Sequence, residues 1–264
     1  MIGLFDSIIL GIVEGISEFL PISSTGHLIL VSHWLGLTGR AVKSFEIVIQ
    51  GGALLAILLL YRHKVISMGR SLRGRDSAGR RLLVNLFISF LPAALAGAAF
   101  HDWIKNHLFE PVPVVWSLAL GGVVMIFLNR GSGSRTLESL SAKEALWIGL
   151  AQCLALWPGT SRSMVTIVAA LLLGFPATAA AEYSFLLAIP TLGGAAVFEL
   201  VRGEMPLVQE AGMASFAAGF LTAAVVAAIA VKGFVRYLTT RGLAVFGWYR
   251  IILAAAVFCA VRGG

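Results

Sequence analysis

Charge is what this chain has least of. Lys, Arg, Asp and Glu make up 12% of its 264 residues, where soluble domains run at about 25%. That scarcity excludes an ordinary soluble domain. Cysteine is almost missing. Cys153 and Cys259 stand far apart in apolar segments, a spacing that makes no zinc site and no redox motif, so both read as small core residues. No low-complexity tract occurs, and RGSGSRT at 130–136 reads as a flexible connector. The first residues lack a basic n-region and include Asp6 and Glu14, so no cleaved signal peptide is expected.

Apolar residues, by contrast, are abundant: 58% of the chain, with a mean hydropathy of +0.91. Six stretches carry few charges: 44–61, 82–100, 114–129, 181–198, 214–231 and 243–261. A helix needs roughly 20 residues to cross the hydrocarbon core, so six spans are expected in a single integral membrane domain covering 1–264.

The net charge of +7 invites a nucleic-acid partner, but its distribution argues against one. Arg62, Lys64, Arg70, Arg73, Arg75, Arg80 and Arg81 crowd the linker 62–81. Arg130, Arg135 and Lys143 lie in 130–143, and Lys232, Arg236 and Arg241 in 232–241. The opposite-side segments hold only Arg40, Lys43, Lys105, Arg202 and Arg262. By the positive-inside rule the three basic linkers are cytoplasmic, which leaves both termini outside. Anionic lipid headgroups are natural partners for such a surface. Arg162 and Arg250 remain inside apolar segments.

Two apolar stretches are broken. Residues 2–20 and 27–37 flank Pro21-Ile22-Ser23-Ser24-Thr25-Gly26, and 144–157 and 164–174 flank Pro158-Gly159-Thr160-Ser161-Arg162-Ser163. Non-helical backbone at membrane depth must be buried in protein or line a cavity. Both therefore read as re-entrant hairpins whose tips meet near the midplane. Glu46 follows Pro21 by 25 residues and Glu182 follows Pro158 by 24. The expectation is an inverted-topology repeat, about 1–129 and about 140–264, with its site between the halves.

Ionisable groups at membrane depth are costly and usually functional. Glu14 and Glu18 share one helix face. They read as ligands for a hard divalent cation or as a general base; capping near a helix end is the plainer alternative. Ser23, Ser24 and Thr25 read as helix caps taken singly. A nucleophile becomes credible beside Glu18 and His27, either of which is a base for a serine. His27 is equally readable as a satisfied core histidine. Arg162 suits phosphate oxygens, and Gly159, Thr160, Ser161 and Ser163 complete an anion cradle before a new helix. Structural pairing of Arg162 with either acid is the alternative. Together these groups fit phosphoryl chemistry on a lipid-linked phosphate.

The strings EGISEFLPISSTGHL and LWPGTSRSM, with FEIVIQ and AEYSFLLAIP behind them, resemble the bacterial undecaprenyl-diphosphate phosphatases of the bacitracin-resistance type. The resemblance runs from about residue 4 to residue 258. It implies an all-α integral membrane fold of six transmembrane helices plus two re-entrant helical hairpins in an inverted repeat. It implies hydrolysis of undecaprenyl diphosphate to the monophosphate carrier of peptidoglycan synthesis. It also implies a divalent cation, Mg2+ or Ca2+, and a site in the inner membrane opening to the periplasmic face. By motif, Glu14 and Glu18 match the family's essential acids, Ser24 and His27 its hydroxyl and histidine, and Arg162 its phosphate-binding arginine. Ser161, Ser163 and Thr166 stand around that arginine. Met164 departs from the glycine usual in the second motif, which is expected to affect the geometry of that tip. A homodimer is compatible with the sequence. The competing function class is a secondary transporter, which also uses broken helices at the midplane. Lipid-carrier flipping as a second activity is compatible too.

Overall fold

A computed structural model describes residues 2–37, 39–108, 111–128, 133–202 and 212–263. Arg130 lies outside them, as do the side chains of Arg40, Lys43, Lys105 and Arg262. Among the described residues the chain is helical without strands. In order come α1 (Leu4–Ser17), α2 (Ser24–Trp34), α3 (Arg40–Leu60), α4 (Arg62–Ser71), α5 (Ser77–His107) and α6 (Pro111–Phe127). The second half holds α7 (Ala142–Gln152), α8 (Arg162–Leu172), α9 (Ala177–Val201), α10 (Met213–Thr240) and α11 (Ala244–Gly263). Short 3₁₀ turns cover Leu137–Ser139 and Cys153–Leu156.

Some helices start at capping side chains. Asp76 accepts from the Gly79 N–H (2.9 Å) ahead of α5. Ser141 and Glu144 form a reciprocal capping box on α7, which satisfies two donors the first turn leaves open. The six apolar stretches fall on α3, α5, α6, α9, α10 and α11. Among the described residues three helical segments are long and apolar enough to cross a membrane: Ser77–Ile104, Ala177–Val201 and Met213–Thr240. A fourth arises if Ser44–Leu60 and Arg62–Ser71 count as one span, bent by 80°. Val112–Phe127 and Ala244–Cys259 are shorter apolar helices. Length and composition alone thus mark three or four spanning helices among the described residues. The linker 62–81 is itself partly helical, as α4.

Close packing relies on small residues. A Cβ on Gly11 would lie 2.6 Å from the Gly219 carbonyl, and one on Gly15 2.8 Å from the Ala223 carbonyl. Those glycines let α1 settle directly onto α10, as small residues do in membrane interfaces. Gly122 and Gly247 do the same between α6 and α11. The packing has a regular pattern: α1 and α3 lie on α10, α7 and α9 lie on α5, and α6 lies on α11. Buried hydroxyls pair across α5, α7 and α9. Ser89 Oγ donates to the Ala145 carbonyl (2.6 Å) and meets the Tyr183 hydroxyl at 2.7 Å. Large apolar side chains such as Leu95 and Ile229 face outward.

Arg135 closes the open end of the α7–α8 pair. It grips Glu144 through Nη1 (2.7 Å) and Nη2 (3.1 Å) and donates to the Leu173 carbonyl (2.8 Å). This partner, with the Ser141 donors, holds the Glu144 carboxyl down at about 2. A carboxyl depressed on folding stabilises the fold above its ordinary range near 4.5. That contribution is lost as pH falls through the folded value. The thermal midpoint is therefore expected to drop between about pH 4.5 and pH 2. Glu144→Gln, which keeps the capping box, flattens that limb; an equally steep limb in the variant would remove Glu144 as its source.

Candidate active site

The first break follows from α1 ending at Ser17, with Glu18 as its cap. Phe19 to Ile22 turn the chain, and Ser23 starts α2 with φ 73°. Its Oγ accepts from the Gly26 N–H at 3.4 Å. The second break repeats this geometry. Ser161 has φ 72°, caps α8, and accepts from the Met164 N–H at 3.3 Å. Among the described residues these are the two non-glycine positions with positive φ. Each costs about 1–3 kcal/mol, and such strain clusters at functional sites. Gly159 (φ 89°) lies so close to α6 that a Cβ would press on Ser117 Oγ and sit 2.8 Å from the Val114 carbonyl.

The two breaks touch. Ser163 Oγ donates to the Leu20 carbonyl (2.9 Å), and Arg162 Nη2 donates to Glu18 Oε1 (3.3 Å). Glu18 Oε2 accepts from Ser24 Oγ at 2.6 Å. A chain thus runs Ser24–Glu18–Arg162 across 138 positions of sequence, from residue 24 to residue 162. The side chains of Arg162 and Glu18 are 10% and 5% exposed, so water screens their pairing little. Arg162 Nη1 is anchored on the Ser184 carbonyl (2.9 Å). Thr166 Oγ1 ties α8 to α9 by donating to Ser184 Oγ (2.7 Å). Ser161 and Ser163 hydroxyls meet at 3.0 Å. Ser24, His27 and Thr160 are half-buried, and Thr25 is exposed. Met164 is buried with its methyl end against Gly121 of α6, so its extra volume is taken up in the α6–α8 contact.

Glu14 sits one turn before Glu18, is 1% exposed, and lies in electrostatic reach of Glu18, Glu46 and Arg162. Its Oε1 has no hydrogen-bond partner, and neither does Arg162 Nε. A buried carboxylate oxygen left unmade is costly. Among the described residues no three His, Cys, Asp or Glu side chains gather as a metal cage. A hard cation such as Mg2+, however, is commonly held by one or two carboxylates together with substrate phosphates. The orphaned Glu14 oxygen fits that mode.

His27 is held at both ring nitrogens. Nδ1 lies 2.7 Å from the Ser23 carbonyl and Nε2 2.6 Å from the Tyr249 hydroxyl. A carbonyl only accepts, so Nδ1 carries the hydrogen and Nε2 accepts from Tyr249; this tautomer is assigned from the partners. The rings also stack at 5.6 Å and 4°. Of the two bases open to Ser24, Glu18 is the one bonded to it, while His27 is engaged by α11.

Sequence reasoning missed Tyr249 as a site residue. It also gave no role to Arg250, which donates to carbonyls of both breaks. The signal was there: Arg250 is an arginine in an apolar run, the same oddity that marked Arg162.

The fold and site define a helical, polytopic membrane protein with a buried acid–hydroxyl–arginine chain between two interrupted helices. Residues 7–256 match the family model described as "Bacitracin resistance protein BacA". The chain belongs to that family. It is 47% identical over 260 residues to the undecaprenyl-diphosphatase of Sorangium cellulosum, covering 96% of this chain and 85% of that protein. It is 42% identical to the undecaprenyl-diphosphatase of Nitrosomonas europaea, covering 99% and 96%. With that of Maridesulfovibrio salexigens it shares 43% identity, covering 97% and 98%.

Proposed function

We propose that this protein hydrolyses undecaprenyl diphosphate to undecaprenyl phosphate and inorganic phosphate. In doing so it recycles the lipid carrier for peptidoglycan synthesis and confers bacitracin resistance. The observation that carries the chemistry is the Ser24–Glu18–Arg162 chain, with 2.6 Å between Ser24 Oγ and Glu18 Oε2. Glu18 takes the Ser24 proton as Oγ attacks the terminal phosphorus. A new Oγ–P bond forms and the bond from that phosphorus to the bridging oxygen breaks, releasing undecaprenyl phosphate. Glu18 passes that proton to the leaving phosphate oxygen. Water then attacks the phosphoserine, and Glu18 accepts its proton and returns it to Ser24 Oγ as the Oγ–P bond breaks and phosphate leaves. Arg162 meets the phosphate oxygens with its planar fork. Ser161, Ser163, Thr160 and the amides after Gly159 orient them, with Ser23 and Thr25 at the first break. His27, held by the Ser23 carbonyl and the Tyr249 hydroxyl, meets the reacting phosphate through Nε2 once Tyr249 releases it. A divalent cation, Mg2+ or Ca2+, held by Glu14 and Glu18, would neutralise diphosphate charge when bound.

The architecture that suits this chemistry is six transmembrane helices and two re-entrant hairpins in one domain, with repeats about 1–129 and 140–264. Its support is the pattern α1 and α3 on α10 against α7 and α9 on α5, together with the matched backbone at Ser23 and Ser161. The site opens to the periplasmic face of the inner membrane, a reading supported by the basic linkers. Its partners are the polyprenyl diphosphate and membrane lipids, with no nucleic acid. A homodimer fits this reading.

Glu18→Gln tests it. The variant keeps the shape but loses the base, so phosphate release should fall by about 10²–10⁴-fold. Release within a few-fold of wild type would remove Glu18 from the chemistry.

A further inference from the structure

Arg250 is fully buried on α11, and the reaction above makes no use of it. A guanidinium has five N–H donors, and here backbone carbonyls take all of them. Nε donates to Leu118 (3.2 Å), Nη1 to Thr160 (3.0 Å) and Pro21 (3.4 Å), and Nη2 to Ser117 (2.9 Å) and Gly159 (3.0 Å). Pro21 belongs to the first break, Gly159 and Thr160 to the second, and Ser117 and Leu118 to α6. Interrupted helices at membrane depth leave carbonyls with no water to meet them. One planar fork meets three of them and links both breaks to a common helix. Ser117 Oγ adds a bond to the Pro158 carbonyl (2.6 Å). Among the described residues no donor of Arg250 goes to a carboxylate, unlike Arg162. A packing role alone needs no such fork, since apolar groups of similar volume commonly serve buried positions as well as charges do.

We propose that Arg250 is a positioning residue: it clasps the two breaks to each other and to α6, and so fixes the Ser24–Glu18 arm against the Arg162 cradle. The kinetic part rests on the phosphatase reading; the geometric part does not.

Arg250→Lys keeps the charge, but an ammonium has three donors and no plane. Its kcat for phosphate release should fall about 10²-fold, as for a misplacement of about 1 Å, with little change in KM. Gly121→Ala tests the clasp from the other side. A Cβ there presses on Arg250 Nη2 and lies 2.9 Å from its Cζ, so it displaces the fork without removing it. The same kcat-against-KM split is expected, and this variant carries the test if Arg250→Lys fails to fold. The distance between the breaks is read separately, by pulsed electron resonance on nitroxides at positions 25 and 154, with Cys153→Ala and Cys259→Ala. The distribution should be narrow with Arg250 and broad in Arg250→Lys and Gly121→Ala. An unchanged distribution in the folded variants overturns the proposal whatever the kinetics. A wild type without phosphatase activity whose distribution still broadens on substitution overturns the phosphatase reading and leaves the clasp standing.

Discussion

Ser24→Ala stops turnover: phosphate release from undecaprenyl diphosphate falls by about 10³-fold or more, within the range set by nucleophile deletions. The reason is positional. Ser24 Oγ is the hydroxyl already bonded to a buried carboxylate, at 2.6 Å, and a serine needs such a base to lose its proton. Ser23 and Ser161, though nearby, cap α2 and α8 and, among the described residues, have no carboxylate bonded to their hydroxyls. Acid quenching of the wild type should also trap phosphate on the protein, and Ser24→Ala should trap none. Near-wild-type release by folded Ser24→Ala would contradict the covalent route. Attack by water, with Glu18 as its base, would then take its place.

Arg162→Ala has the second large effect, a loss of about 10³–10⁵-fold, as when an arginine that neutralises a transferring phosphoryl group is removed. This residue does two jobs. On the proposed reading it would offer a fork to phosphate oxygens, and it balances Glu18, to which it is paired at 3.3 Å. Removing one partner of a buried pair also destabilises, by about 3–5 kcal/mol. Arg162→Lys separates the two roles. It keeps the charge beside Glu18 and should keep most of the thermal stability, yet its turnover should stay well below wild type because the bidentate geometry is gone. Full activity in Arg162→Lys would mean that charge alone is needed there.

Much of this site is legible before any coordinates. The hydroxyl and proline runs at 21–26 and 158–163 announce both interruptions, because apolar flanks cannot continue a helix through them. The cost of charge at membrane depth singles out Glu14, Glu18 and Arg162. The partners within that set are not legible. Spacing puts Glu14 and Glu18 on one face, yet only the path of the chain after Ser17 decides that Glu18 takes both Ser24 and Arg162, leaving a Glu14 oxygen unpaired. The echo between Glu46 and Glu182 also hides a difference. Glu182 pairs with Lys64 of α4 at 2.6 Å, whereas Glu46 lies in electrostatic reach of Glu14. Tyr249 reaches His27 from 222 positions away, and Arg250 reaches Pro21 from 229. Such a contact depends on how α11 packs on α6, through Gly122 and Gly247, and no local pattern encodes it. The bend at Tyr61 was likewise invisible, because 62–81 reads as a basic linker while its first part is a helix.

The most direct test is phosphate release from undecaprenyl diphosphate by the detergent-purified wild type, where no gradient exists to drive transport, with and without EDTA. The account predicts repeated turnover, one phosphate and one undecaprenyl phosphate per substrate, and a collapse on chelation. No release from folded, monodisperse protein supplied with Mg2+ or Ca2+ would contradict it and favour a transporter built on the same broken helices.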